Sequence, residues 1–196
     1  MSLNSNKSKQ LAFLLRHDRN YDFEIGGWRE LTDLCLRHSF TTEDVVDIVS
    51  NDGKGRFEFN SDKTKVRALY GHSVEVDLLL CKQEPPLRLL HGTALKYIDS
   101  IRNYGLKSKS RQYVHLTEDK YLAIMIGSRH GQAVLLEINS LAMFNEGYNF
   151  YHTNNGTWLT AEVPVQYIYY FKSTFLIICF YQFLNGSMNL ECPVPM

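Results

Sequence analysis

Apolar residues recur at helical spacing near the start of the chain. Leu11, Leu14 and Leu15 fall on one side of a segment from Ser8 to Arg16, with Ser8 placed to cap it. Leu31, Leu34 and Cys35 repeat that period from Trp28 to His38, and Val45, Val46, Ile48 and Val49 repeat it behind a cap at Thr42. Asn51-Asp52-Gly53 reads as a turn. The pattern then shortens to strand-like runs at 56–60 (RFEFN) and 65–69 (KVRAL), on either side of the polar turn Ser61-Asp62-Lys63. Helices followed by two strands match the order of a winged helix, a common nucleic-acid-binding shape, and equally that of other small α+β domains.

Cys81 to Pro86 is polar and ends in two prolines, which makes it the candidate boundary between an N-terminal lobe (1–84) and a C-terminal lobe (87–171). Leu87 to Leu90 leads into His91-Gly92-Thr93, a helix spans Leu95 to Tyr104, and Gly105 stands at its C-cap. Tyr113–Thr117, Ala133–Ile138, Thr157–Ala161 and Tyr167–Phe171 read as strands, with a helix at Lys120–Ser128. The fold class is α+β. The apolar run Phe175 to Leu184 (FLIICFYQFL) is well short of the roughly 20 residues of a membrane span. It reads as a buried strand or an aggregation-prone stretch, inside a tail (172–196) to which no role is assigned.

Composition narrows the partners more than the fold. Of 196 residues, 44% are apolar and 21% charged, which suits a globular protein. Net charge is zero, and residues 1–85 carry 12 basic and 14 acidic side chains against 9 and 7 in the remainder, so neither half is a basic tail. Binding to nucleic acid would have to come from local clusters. Cys35, Cys81, Cys179 and Cys192 form no Cys-x-x-Cys pair, and no metal site is expected. The polar start, MSLNSNKSKQ, has no secretory pattern, so an intracellular site, cytoplasmic or nuclear, is expected.

The candidate chemistry lies in arginines and histidines set in or beside apolar runs: Arg16-His17 in LLRHD, Arg67 in VRALYGHS, His91-Gly92-Thr93 in LLHGT, and Arg111 and His115 in SRQYVHL. Arginine stays charged wherever it is placed, so near a core it needs an anionic partner, and its fork matches phosphate oxygens. The histidine, glycine and threonine of LLHGT are expected where a strand ends before a helix, a place where backbone donors favour an anion. Gly71 before His72 and Ser73 would let backbone approach a ligand. Each motif alone also has a plain structural reading, such as a solvated helix-end arginine or a satisfied histidine. Neither a Gly-x-Gly-x-x-Gly nor a P-loop is present.

Taken in order, LAFLLRHD, Trp28, VSNDGKGRFEF, VRALYGHSVEVD, LLHGT, IRNYGLKSKSRQYVHLT and TWLTAEVP resemble the blocks of the Tpt1/KptA family of RNA 2′-phosphotransferases, across about residues 8–171. The resemblance implies a winged-helix RNA lobe followed by a mixed β lobe of the ADP-ribosyltransferase type. It implies NAD as co-substrate and 2′-phosphorylated RNA, in particular tRNA, as partner. The family's catalytic set falls on Arg16, His17, Arg67 and Arg111. Its NAD-binding positions fall on His91, Gly92, Thr93, His115 and Val163, and RNA or phosphate contacts on Lys54, Arg56, His72 and Ser73.

The implied reaction has two steps. The RNA 2′-phosphate displaces nicotinamide from the nicotinamide ribose; the ribose 2″-hydroxyl then attacks phosphorus and expels the RNA. The products are 2′-hydroxyl RNA, nicotinamide and ADP-ribose 1″,2″-cyclic phosphate. No membrane partner is expected, and a monomer is. The chain departs from the family at Arg19, where a proline is usual and little effect is expected, in its neutral net charge, and from Lys172 onward. Two other readings stand beside this one: ADP-ribosylation of phosphorylated nucleic-acid ends, and a non-catalytic winged-helix RNA-binding module.

Overall fold

A computed structural model describes residues 3–170, and the tail features expected beyond them lie outside the described residues. Among the described residues the fold is α+β, with six α-helices and small antiparallel sheets built around two apolar cores.

The first core gathers Leu11, Leu14 and Leu15 of α1 (Leu3–Arg16), Leu31 and Leu34 of α2 (Leu31–His38) and Val45 and Ile48 of α3 (Thr42–Ser50). These are the periodic residues of the sequence, so the helical stripes do face one core. The boundaries differ in three places. Helix α1 begins five residues before Ser8, whose hydroxyl accepts from Arg56 instead of capping. The cap of α3 is Thr41, not Thr42, in a capping box: its Oγ accepts from the Asp44 N–H and the Asp44 carboxylate accepts from the Thr41 N–H.

The third difference is larger. The segment expected as one helix from Trp28 splits into strand β1 (Trp28–Glu30) and α2. Trp28 and Arg29 are pulled into pairing with β3 (Lys65–Ala68), in the register Trp28↔Arg67 and Arg29↔Val66. With β2 (Phe57–Phe59) on the other side of β3, the sheet has three strands in the order β1-β3-β2, where the sequence pattern predicts two.

Arg29 explains why this corner is fixed. It is 1% exposed and stacks on Tyr21, with its guanidinium carbon 4.1 Å from the ring centroid. It donates to Asp33 (2.7 Å), to Asp18 (2.8 Å), to the Leu14 carbonyl (3.0 Å) and to His38 Nε2 (2.8 Å). One buried cation therefore ties the end of α1 to α2, with its charge met by two carboxylates. Nothing in the sequence pattern singles it out.

The second core contains Leu89, Ile98, Ile101, Leu136, Ile138, Phe150, Trp158 and Val163. Its sheets are β11-β7-β4 (Ile168–Tyr170, Ala133–Ile138, Leu89–Ala94) and β6-β9-β8 (Val114–Leu116, Trp158–Thr160, Phe150–His152). A short pair joins β5 (Leu106–Lys107) to β10 (Glu162–Val163). Reciprocal backbone bonds between Leu90 and Thr117, 2.8 and 3.0 Å, join β4 to the end of β6. The helices are α4 (Ile98–Tyr104), α5 (Lys120–Ser128) and α6 (Ser140–Asn145), and Gly105 C-caps α4 at φ 73° as expected. No helix among the described residues is long and apolar enough to cross a membrane.

His91-Gly92-Thr93 does not end a strand. All three residues lie inside β4, which runs on to Ala94 and a 3-10 turn before α4. Gly92 is required by packing: a Cβ there would stand 1.6 Å from the Ala123 carbonyl oxygen of α5. Glycine lets helix and strand backbones touch. Gly92→Ala should therefore abolish soluble folded protein, while Gly53→Ala, where a Cβ meets nothing within 4 Å, leaves the thermal melt unchanged. Arg29→Ala, which strands two carboxylates at a buried position, should lower stability in urea denaturation by about 3–5 kcal/mol.

Candidate active site

Arg16 closes α1, and the fold turns its guanidinium inward instead of out to solvent. Its Nε and Nη2 are buried and have no hydrogen-bond partner. The guanidinium carbon lies 4.9 Å from the Tyr70 ring centroid and 5.9 Å from that of Phe57. Gly71, at φ +88°, lets the chain bend back over it: a Cβ there would sit 3.5 Å from the guanidinium. Burial lowers the Arg16 pKa, Tyr70 works against that, and Arg56 and Arg111 add to it. Arginine nonetheless remains charged at neutral pH. A buried cation with two idle donors is a place prepared for an anion.

The next residues complete one face of the site. His17 Nδ1 is 2.8 Å from the Ser73 hydroxyl, and its pKa is lowered by burial and then by Arg16 and Arg111. The Ser73 N–H donates to the Arg16 carbonyl (2.9 Å), and the Gln112 N–H donates to the His72 carbonyl (3.0 Å). A short loop therefore brings the end of α1 beside Arg111, from the other half of the chain.

Arg111 donates from Nη1 to His115 Nδ1 at 2.8 Å. Arginine only donates, so this nitrogen accepts and neutral His115 carries its proton on Nε2. Burial, then Arg111, Arg16 and His91, push the His115 pKa down to about 3. The His115 ring meets Tyr70 edge to face at 5.8 Å, which brings Tyr70 into contact with both Arg16 and His115. His91 shows the opposite tautomer. Its Nδ1 lies 2.9 Å from the His115 carbonyl and must donate, so neutral His91 offers an acceptor at Nε2. Its pKa is lowered by burial, against the raising effect of that bond, and lowered further by Arg111. A cleft of about 390 Å³ opens beside Ser73 and Arg111.

Arg16, His17, Ser73, Arg111, His115 and His91 are thus brought together. Arg67 is placed differently. Its Nε donates to Glu58 at 2.6 Å, its Nη2 pairs with the same carboxylate, and its Nη1 donates to the Gly26 carbonyl at 2.9 Å. It also lies 4.4 Å over Trp28. Arg56 is likewise matched by Asp52, while Lys54 is exposed. His72 is 1% exposed, with neither ring nitrogen in a hydrogen bond of good geometry. Its pKa is pushed down to about 4 by burial and then by Arg16 and His17.

Thr93 and Val163 are buried, at 7% and 0% exposure. Gly92 packs against the backbone of α5, and of the LLHGT side chains His91 hydrogen-bonds to His115. Two members escape a reading of the sequence. Tyr70 stands in the same VRALYGHS block as Arg67, and an aromatic one residue before a turn glycine is the available signal. Gln112, beside Arg111, has none.

A family model described as "RNA 2'-phosphotransferase, Tpt1 / KptA family" matches residues 2–162 of this chain. A "Probable RNA 2'-phosphotransferase" of Flavobacterium johnsoniae is 41% identical over 169 residues, covering 82% of this chain and 93% of that protein. One of the same description from Pectobacterium atrosepticum is 40% identical over 174 residues, 84% and 97% of the two chains. A third, from Trichormus variabilis, is 42% identical over 168 residues, 80% and 92%.

The depressed histidines give the site a pH signature. Below their ordinary value of 6.5, His72 and His115 take up protons in the unfolded chain but resist them in the folded one, down to about 4 and about 3. Stability is therefore complete above pH 6.5 and falls as pH drops below it. Melting temperature measured from pH 7 to 4 should decline, and His72→Gln should flatten that decline by roughly one proton's worth of slope.

Proposed function

The chain belongs to the Tpt1/KptA family of RNA 2′-phosphotransferases, and from that premise we propose that it transfers a 2′-phosphate from RNA, such as a spliced tRNA, to NAD. The observation that carries this is the buried Arg16 guanidinium, with two donors unmatched, beside His17 and Arg111. Its charge and planar fork suit a phosphate. Arg16 binds the 2′-phosphate, and His17, held by Ser73, orients it. Arg111 stabilises charge on the same group during its transfer. Arg67 enters this set by exchanging Glu58 for substrate. We read the first half as a winged-helix RNA lobe and the second as an ADP-ribosyltransferase-type lobe.

The residues fit NAD through complementary hydrogen bonding. His91 Nε2 is an acceptor suited to a ribose hydroxyl, and His115 Nε2–H a donor suited to a phosphate oxygen. When bound, NAD supplies an electrophilic ribose carbon with nicotinamide as leaving group. The chain's own part is to keep both histidines neutral and the arginines charged. The described site offers no carboxylate beside Arg16, and a 2′-phosphate needs none, being already an anionic nucleophile.

An RNA carrying one internal radiolabelled 2′-phosphate tests the reading. Incubation with NAD should release the label as ADP-ribose cyclic phosphate, and omission of NAD should release none. Label that stays on RNA as a stable ADP-ribose adduct would favour end modification instead. Arg16→Ala should lower the rate by about 10²–10³ with the melt unchanged. Arg16→Lys should not restore it, because a single ammonium lacks the fork.

A further inference from the structure

The cleft beside Arg111 is larger than one phosphate requires, and its far wall contains residues that the reaction leaves unused. Its volume of about 390 Å³ is bounded by Ser73 and Arg111 on the reacting side, and by Arg19, Lys109, Ser110 and Glu75 elsewhere. Three cations thus face one carboxylate. Arg19 and Lys109 are both exposed, and among the described residues neither is held in an ion pair; Lys109 Nζ rests 5.0 Å from the Tyr97 ring centroid. Arg56 and Arg67, by contrast, are each matched by a carboxylate. Lys109 also holds a left-handed backbone, φ 55°, in a turn closed by the Arg111 N–H on the Ser108 carbonyl at 3.1 Å. That conformation is unfavourable for a residue with a side chain, and such strain gathers where a residue must point a particular way.

We propose that this cleft is a second phosphate site, in which Arg19 and Lys109 take a phosphodiester of the RNA strand next to the nucleotide that reacts. The inference rests on the functional reading above and deepens it. Arg19 stands two residues beyond His17, and Lys109 two before Arg111, so each of these reacting residues has a cleft-lining cation close to it in the chain. A strand whose 2′-phosphate sits on Arg16 can lay its neighbouring phosphate against this wall. Arg19 is then a substrate contact that this chain has where a proline is usual in the family, against the small effect expected from sequence. A chain of zero net charge would then hold a polyanion through a few unpaired cations in one groove.

The test measures binding, so it does not need turnover. Fluorescence anisotropy would give Kd for a short single-stranded RNA with one internal 2′-phosphate, and for the same RNA with neutral methylphosphonate linkages flanking that nucleotide. Wild-type protein should lose roughly fivefold in affinity on the neutral RNA, and Arg19→Gln/Lys109→Gln should bind both RNAs equally. The slope of log Kd against log salt on the natural RNA should shrink by roughly 0.7 for each lost contact. An equal loss in wild type and variant, or no binding to either RNA, overturns the proposal. So does a variant that keeps the RNA coupling but weakens binding of NAD alone. If wild type shows the coupling but releases no labelled phosphate, the second site stands and the reaction reading fails. Release of label without the coupling leaves the reaction reading standing and overturns the second site.

Discussion

The His72–Ser73 backbone is bonded in two directions. The Ser73 N–H holds the Arg16 carbonyl at 2.9 Å, and the His72 carbonyl receives the Gln112 N–H at 3.0 Å. Through these two bonds the end of the first helix and the Arg111 loop, almost a hundred residues apart, become neighbours. Loop segments rarely lie buried unless their polar backbone groups are met; here each bond meets one such group, and the one from Gln112 to His72 also joins the two halves. Gly71 before the loop and Tyr70 before that complete the arrangement, one by its positive φ and the other by touching both Arg16 and His115. The candidate site therefore depends on a contact that neither half supplies alone.

Once the halves meet, the arginines sort themselves by partner. Arg29, Arg56 and Arg67 each face carboxylates supplied by the fold: Asp18 and Asp33, Asp52, and Glu58. Arg16 has aromatic rings and idle donors at buried nitrogens, while the exposed Arg111 guanidinium has a neutral histidine as its hydrogen-bond partner among the described residues. A charge that the protein leaves unmatched in a half-buried place is costly unless something else matches it. That asymmetry shows which cations the fold already matches, which their spacing in the sequence does not; Arg67 joins Arg16 and Arg111 in the proposed site only by giving up Glu58. Asp18 illustrates the structural side: burial alone would raise its pKa, yet hydrogen bonds from Arg29 and the Asn20 N–H bring it below the usual range. The residue following Arg16-His17 is thereby anchored, and with it the direction in which the helix ends.

Much of the fold is legible in the sequence because local pattern and tertiary demand agree. Helix α5 and strand β7 have the bounds that the sequence predicts: Asp119 caps α5, whose Ala123 and Gly127 are buried, and β7 buries Leu135, Leu136 and Ile138. Trp28 and Arg29 mislead because their helical spacing competes with a strand partner nearly forty residues away, which no local window contains. The packing role of Gly92 is hidden for a related reason: a glycine's use depends on what approaches it, and the neighbour is the backbone of a helix some thirty positions on. Of the site, the charged residues are legible individually, Tyr70 less so and Gln112 not at all. What sequence does not show is the pairing, because Glu58 looks like any surface acid until its strand is set beside Arg67.

Preorganisation is the consequence that matters most for chemistry. Donors that must be drawn from water to a reacting phosphate lose much of their worth in reorganising, whereas donors already dry and fixed do not. Arg16 is fixed by stacking and by the loop above it, His17 by Ser73, and His115 by Arg111, all before any ligand arrives. The histidines are also held neutral by burial, so each presents one defined donor or acceptor instead of a mixture. Keeping two Arg16 nitrogens unsatisfied costs the free protein stability, and under the proposed function the bound 2′-phosphate offsets that cost. An arrangement of this kind favours an anion over a neutral group, because a guanidinium set among aromatic rings gains more from a charge-assisted hydrogen bond than from a neutral one.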